Sequence, residues 1–160
     1  MNRYILILAT ILGGCATIQS PTPPATQPAT VPPLRLGNFS VSLAVKDLSV
    51  SRAFYEKIGF HGIAGDGVHY LILQNDTATI GIFQGMFDKN TLTFNPGWDR
   101  NATTLPDYDD VRDIQSTLIA RGVTPAVKAD QTTTGPTSLL LFDPDGNPIL
   151  IDQHVPSPKQ

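Results

Sequence analysis

Between residues 39 and 45 the chain reads FSVSLAV, with Val41, Leu43 and Val45 on one face of an extended segment and Ser40, Ser42 and Ala44 on the other. This alternation predicts a strand with one buried face. Asp47 follows as a helix cap, and Phe54, Tyr55 and Ile58 recur at three- and four-residue spacings until Gly59, which suits the left-handed position after a helix end. VHYLILQ (68–74) and TATIGIFQ (77–84) are β-rich runs split at Asn75-Asp76, a hairpin-type break. NTLTFNPGWD predicts a strand ended by Pro96-Gly97, followed by a polar loop to Tyr108. A second helix starts at Asp109 or Asp110 and carries Val111, Ile114 and Leu118 up to Gly122. SLLLF and PILIDQH flank Asp143-Pro144-Asp145-Gly146-Asn147, with Pro, Asp and Gly where a tight turn needs them.

The pattern repeats. Asp47 and Gly59 are twelve residues apart, as are Asp110 and Gly122, and the two pairs are offset by sixty-three. Each half runs strand, helix, then hairpins, which predicts an α+β fold of two βαβββ modules.

Ahead of this comes MNRYILILATILGGCAT, with Arg3, an apolar run from Tyr4 to Leu12, two glycines, and Cys15, the one cysteine of the chain. Nine helical residues rise about 14 Å against a hydrocarbon core of about 30 Å, so the run cannot span a bilayer. A basic start, a short apolar run and small residues form the pattern of an export signal. Leu12-Gly13-Gly14-Cys15 also resembles the bacterial lipobox. That resemblance implies a signal peptide over 1–14, lipidation of Cys15 as the mature N-terminus, and residence in the bacterial cell envelope. A diacylglycerol with a further chain on the amine meets the need for more than one acyl chain in stable anchoring. Ala16, not Asp, follows the cysteine, which favours the outer membrane, facing the periplasm. The rest of 15–33, ATIQSPTPPATQPATVPP, has six prolines and no charge. It predicts a semi-rigid tether that reaches on the order of 55 Å.

Residues 34–160 suit one domain. Without Arg3 the chain carries ten Lys plus Arg against fourteen Asp plus Glu, with no basic patch and no Lys/Arg run interleaved with aromatics. Nucleic acid is therefore not an expected partner.

VSLAVKDLSVSRAFYEKIGF at 41–60, joined to FDPDGNPILI at 142–151, resembles the vicinal oxygen chelate superfamily. That group includes glyoxalase I, the bleomycin- and fosfomycin-resistance proteins and the extradiol dioxygenases. The likeness covers nearly everything after residue 37, and longer pieces such as LTFNPGWD and TTGPTS resemble a glyoxalase-like subgroup without an established reaction. The resemblance implies paired βαβββ modules whose mixed sheet curls around a cleft, with the helices outside. It also implies a divalent ion on the cleft floor, held by His, Glu or Gln from both modules. Carried onto this chain, the first-strand His position is Ser40 and the last-strand Glu position is Leu150; the corresponding place in the first module is near Gly81. No His or Glu stands between Thr91 and Phe94, and a leucine has no lone pair to donate. Glu56, on the first helix, is the chain's one glutamate, and His61, His69 and His154 lack a metal-binding spacing. Asp152 and His154 share the phase of Leu150, which suits a polar or metal-binding pair.

The expectation is a cleft with no metal and no cofactor, lined by Ser40, Ser42, Phe83, Gln84, Phe94, Trp98, Leu150 and Asp152, that binds a small, partly apolar molecule. Sequestration in the manner of bleomycin-binding relatives is one form of this. A divergent metal-dependent lyase or isomerase is one alternative, and a non-catalytic structural or interaction module is another. No catalytic residue is assigned, and the sequence leaves open whether a homodimer completes the cleft.

Overall fold

A computed structural model describes residues 32–158; the expected export signal, Cys15 and the expected tether up to residue 31 lie outside the described residues. From Pro33 onward the chain forms one compact unit. Its elements run β1 (Asn38–Val45), α1 (Leu48–Lys57), β2 (His61–Gly65), β3 (Tyr70–Asn75), β4 (Ala78–Gln84), β5 (Thr91–Asn95), α2 (Val111–Ala120), β6 (Thr137–Phe142) and β7 (Pro148–Gln153).

All seven strands make one mixed sheet in the order β2-β3-β4-β1-β5-β7-β6. In each half the first strand pairs in parallel with the last, β1 with β4 and β5 with β7. The halves join where β1 and β5 run antiparallel, with Ser40 opposite Thr93 and Ser42 opposite Thr91.

Two expectations are corrected here. The sheet is α+β and mixed, but open and not strongly curled. The second module also has three strands instead of four, because the stretch after α2 contributes only an isolated bridge between Val127 and Leu140. The backbone that would lengthen that strand is occupied elsewhere. Gln115 of α2 donates to the Ala129 carbonyl (3.1 Å) and accepts from the Ala129 amide (2.7 Å), Arg112 donates to the Asp130 carbonyl (2.8 Å), and Pro125 has no N–H.

Both helices lie on one face. Leu48 and Tyr55 of α1 pack with Leu43, Val45, Leu71, Leu73, Ile80 and Ile82. Val111, Ile114 and Leu118 of α2 pack with Phe94, Leu139, Leu141, Ile149 and Ile151. The helix ends repeat one another, with the aspartate cap reaching the third residue on at Asp47 and the second at Asp110. Asp47 accepts from the Val50 amide (3.0 Å) and Asp110 from the Arg112 amide (2.8 Å). The first amide of each helix is taken by a strand-end glutamine: Leu48 donates to Gln84 (2.7 Å) and Val111 to Gln153 (2.8 Å). At the far ends Gly59 (φ 95°) and Gly122 (φ 83°) turn left-handed, and Phe60 donates to the Tyr55 carbonyl as Val123 does to that of Leu118. This is the sixty-three-residue echo in three dimensions.

Candidate functional site

Leu43, Val45, Phe94 and Ile151 face the helices, so their strand neighbours face the opposite, open side of the sheet. Register then builds a floor. Ser40, Thr93, Leu150 and Leu140 form one row; Ile72, Gly81, Ser42 and Thr91 form the next. Ser42 lies opposite Gly81 as Thr93 lies opposite Leu150, so Ser42 and Thr93 are equivalent positions of the two modules. Their hydroxyls are 2.8 Å apart and buried at the join.

One border of the floor is aromatic. A Cβ on Gly81 would come 2.4 Å from the Phe83 ring, so the glycine lets that ring lie across its own strand. Phe83 stacks on Tyr70 (centroids 5.8 Å, 9° between planes) and touches Phe87 (5.1 Å). The other border comes from the loop after β5. Trp98 stacks on His154 at 4.4 Å, His154 Nε2 lies 3.2 Å from Asp152 Oδ2, and Asn95 donates to the Asp152 carbonyl (3.1 Å). The same loop reaches the first module, where Gln74 donates to the Arg100 carbonyl and the Arg100 guanidinium donates to the Asp76 carbonyl. Residues 98–100 therefore strap one module to the other.

Ser40, Ser42, Leu150 and Asp152 thus share the open face, Phe83 borders it and Trp98 joins from the strap. Two expected residues do not. Gln84 caps α1 on the helix side, and Phe94 packs into the α2 core against Phe39 (5.1 Å). Phe94 and Trp98 are separated by the Pro96-Gly97 turn, which resets the strand phase, so their spacing does not put them on one face. The sequence reading missed Thr93, Tyr70, Phe87 and Gln74; alternation with Leu92 and Phe94 in β5, and with Leu71 and Leu73 in β3, is the signal that carries the first two.

The residues present do not fit a divalent ion. The floor offers hydroxyls, a glycine and aliphatic side chains, and among the described residues no three His, Cys, Asp or Glu side chains cluster to hold a metal. Two hollows, about 420 and 480 Å³, open elsewhere: one beside Val50 and Phe54 of α1, the other beside Val123 and Leu141 after α2.

Residues 37–151 match the family model described as Glyoxalase/Bleomycin resistance protein/Dioxygenase superfamily. Among solved structures, a protein from Legionella pneumophila described as an NAD-dependent benzaldehyde dehydrogenase is 14% identical, over 73% of this chain and 99% of that one, with a TM-score of 0.55. A glyoxalase/bleomycin resistance protein/dioxygenase superfamily member from Vibrio splendidus 12B01 is 12% identical over 72% and 97% of the two chains, TM-score 0.49. An extradiol ring-cleaving dioxygenase from B. fuscum is 19% identical over 80% of this chain but 35% of its own, TM-score 0.50. Identities this low speak to fold alone. Comparison with curated proteins gives no match.

Proposed function

We propose that this chain, which belongs to the glyoxalase/bleomycin resistance/dioxygenase superfamily, binds a small uncharged planar molecule on the open face of its sheet without the family metal. The observation that carries this reading is the buried Ser42–Thr93 hydroxyl pair at the join of the modules, flanked by Gly81 and Leu150. The floor rows carry no charge, and an anionic ligand placed there would lose hydration beside the Asp152 carboxylate with no opposite charge on the floor to offset it. The Tyr70–Phe83–Phe87 and Trp98–His154 borders instead offer ring faces for stacking. Residence at the envelope through a lipid on Cys15 belongs to the same proposal and is supported by the lipobox-like segment.

Trp98 is the chain's one tryptophan, so its fluorescence reports on the site directly. Screening uncharged planar molecules by thermal shift and Trp98 quenching should give hits that do both. At a hundredfold excess over Kd such a ligand adds about 2.7 kcal/mol of stability. Zn, Ni, Mn and Mg should leave the melting temperature unchanged. One metal per chain by elemental analysis, lost with Asp152→Ala or His154→Ala, would replace this reading with a divergent metal-dependent lyase or isomerase. Stabilisation by neither class would leave an interaction module.

A further inference from the structure

The two modules differ in how the first strand is joined to its helix. Only Lys46 and Asp47 stand between β1 and α1, whereas fifteen residues, 96–110, stand between β5 and α2. Two residues are enough for this connection, so seating α2 on its sheet does not require the longer one. Its middle is the strap.

The strap is a small hairpin with a fixed base and a lightly held tip. Leu105 donates to the Gly97 carbonyl (2.8 Å), Trp98 and Thr104 form an antiparallel bridge, and Asp99 donates to the Thr103 carbonyl (3.0 Å). The Asp99 carboxylate accepts from the Asn101 and Thr103 amides (2.8 and 2.9 Å). At the base Pro96 is fully buried, and Val155 and Tyr108 fill the space where a side chain on Gly97 would stand. At the tip two hydrogen bonds reach the first module, from Gln74 to the Arg100 carbonyl and from the Arg100 guanidinium to the Asp76 carbonyl. Both end on carbonyl oxygens, and neither joins opposite charges.

Strand order sets what lies beneath. The hairpin leaves β5 and ends on β3 and the turn after it, and β4 and β1 lie between those two strands. Leu71 and Leu73 pack toward α1, so Gln74 belongs to the open face, yet it is 7% exposed. The strap therefore lies across the open face, at the end where Ser40 and Thr79 stand.

We infer that the strap is a flap over one end of the ligand floor: its tip lifts from Gln74 and Asp76 to let a small molecule on or off, and closes by remaking the same two bonds. This rests on the ligand reading of the open face. One net protein hydrogen bond is worth about fivefold in the ratio of made to broken states, so two hold the flap mostly shut and leave a minor open fraction. Lifting the tip also loosens Trp98 from His154, on which it stacks at 4.4 Å. The chain's one tryptophan thus reports opening with no ligand present.

In the full chain without ligand, Arg100→Ala should raise acrylamide quenching of Trp98 about twofold, and Gln74→Ala should do the same. Arg52→Ala, which removes an exposed arginine paired with Glu56 on α1, should leave quenching unchanged. Circular dichroism checks that each variant folds; Gln74 is buried, and Arg100→Ala at the exposed tip carries the test if Gln74→Ala unfolds. Asp76→Cys and Arg100→Cys, joined by a bis-maleimide in a chain that also carries Cys15→Ser, should lower quenching relative to the same chain left unjoined. With a ligand from the thermal-shift screen, Arg100→Ala should speed association and dissociation about fivefold each, and the joined chain should slow both at least tenfold. Quenching that neither tip variant nor the crosslink changes would overturn the flap, as would exchange rates that the crosslink leaves untouched. A screen without a hit counts against the ligand reading, and the quenching measurements still decide whether the tip lifts.

Discussion

At the scale of single residues, Asp47 and Asp110 do the same job in different surroundings. Asp47 caps α1 from the surface, where it also accepts from the Ser49 hydroxyl (2.8 Å). Asp110 is 2% exposed and accepts in addition from Gln153 and from the Arg112 guanidinium (both 3.3 Å), the latter also largely buried. Asp47→Ala should therefore cost about 1 kcal/mol, the usual value of a cap. Asp110→Ala also leaves a buried guanidinium without its counter-charge and should cost about 3 kcal/mol in urea unfolding. Equal losses would contradict this difference. Burial works against the Asp110 charge, but hydrogen bonds from Ser157, the Arg112 amide, Gln153 and the Arg112 side chain outweigh it and hold the carboxyl below its ordinary range. A carboxyl whose folded pKa lies below its unfolded value of about 3.9 stabilises fully above that pH and loses its contribution as the pH falls through the folded value. The acid-side decline in stability should consequently be shallower in Asp110→Asn than in the wild type.

At the scale of elements, the glycine exits of the helices test the module relation. Gly59 and Gly122 both have positive φ, and a side chain on Gly122 would meet nothing within 4 Å, so Gly122→Ala isolates backbone strain. Each Ala variant should lose about 1 kcal/mol; a neutral result at both sites in chemical denaturation would undo the echo. Six of the strands and both helices were legible from alternation and caps, because each buries one face and so carries a period. β2, HGIAG, is exposed along its length and carries none. The missing strand of the second module was not legible either, since it depends on Gln115 and Arg112 reaching across to the backbone of residues 129 and 130. The glutamine contacts had a trace in sequence, GIFQ at 81–84 beside LIDQ at 150–153, which also aligns Gly81 with Leu150. Reading that trace would have removed Gln84 from the open face. A side chain's partner across two elements is fixed by how they meet in space, and local spacing does not encode it.

At the scale of the whole molecule, the question is how a domain of this kind would stay at a membrane. No helix among the described residues is long and apolar enough to cross one. In the proposed reading, membrane residence rests on acylation of Cys15. Cells fed a labelled fatty acid should label the wild-type chain, and Cys15→Ser should take up none; equal labelling of the two, or none in either, would remove the anchor. The same variant separates anchoring from the rest. Arg35, just after the tether, is held at 2.7 Å by Asp107 and at 2.8 Å by Asp109, contacts that fix where the chain enters the domain. With that entry held and the Pro-rich segment before it read as a tether, loss of the proposed lipid should release the protein from the membrane fraction without changing its melting temperature or its ligand response. A drop in either would mean that residues before Pro33 pack on the domain, and that the tether is part of the fold.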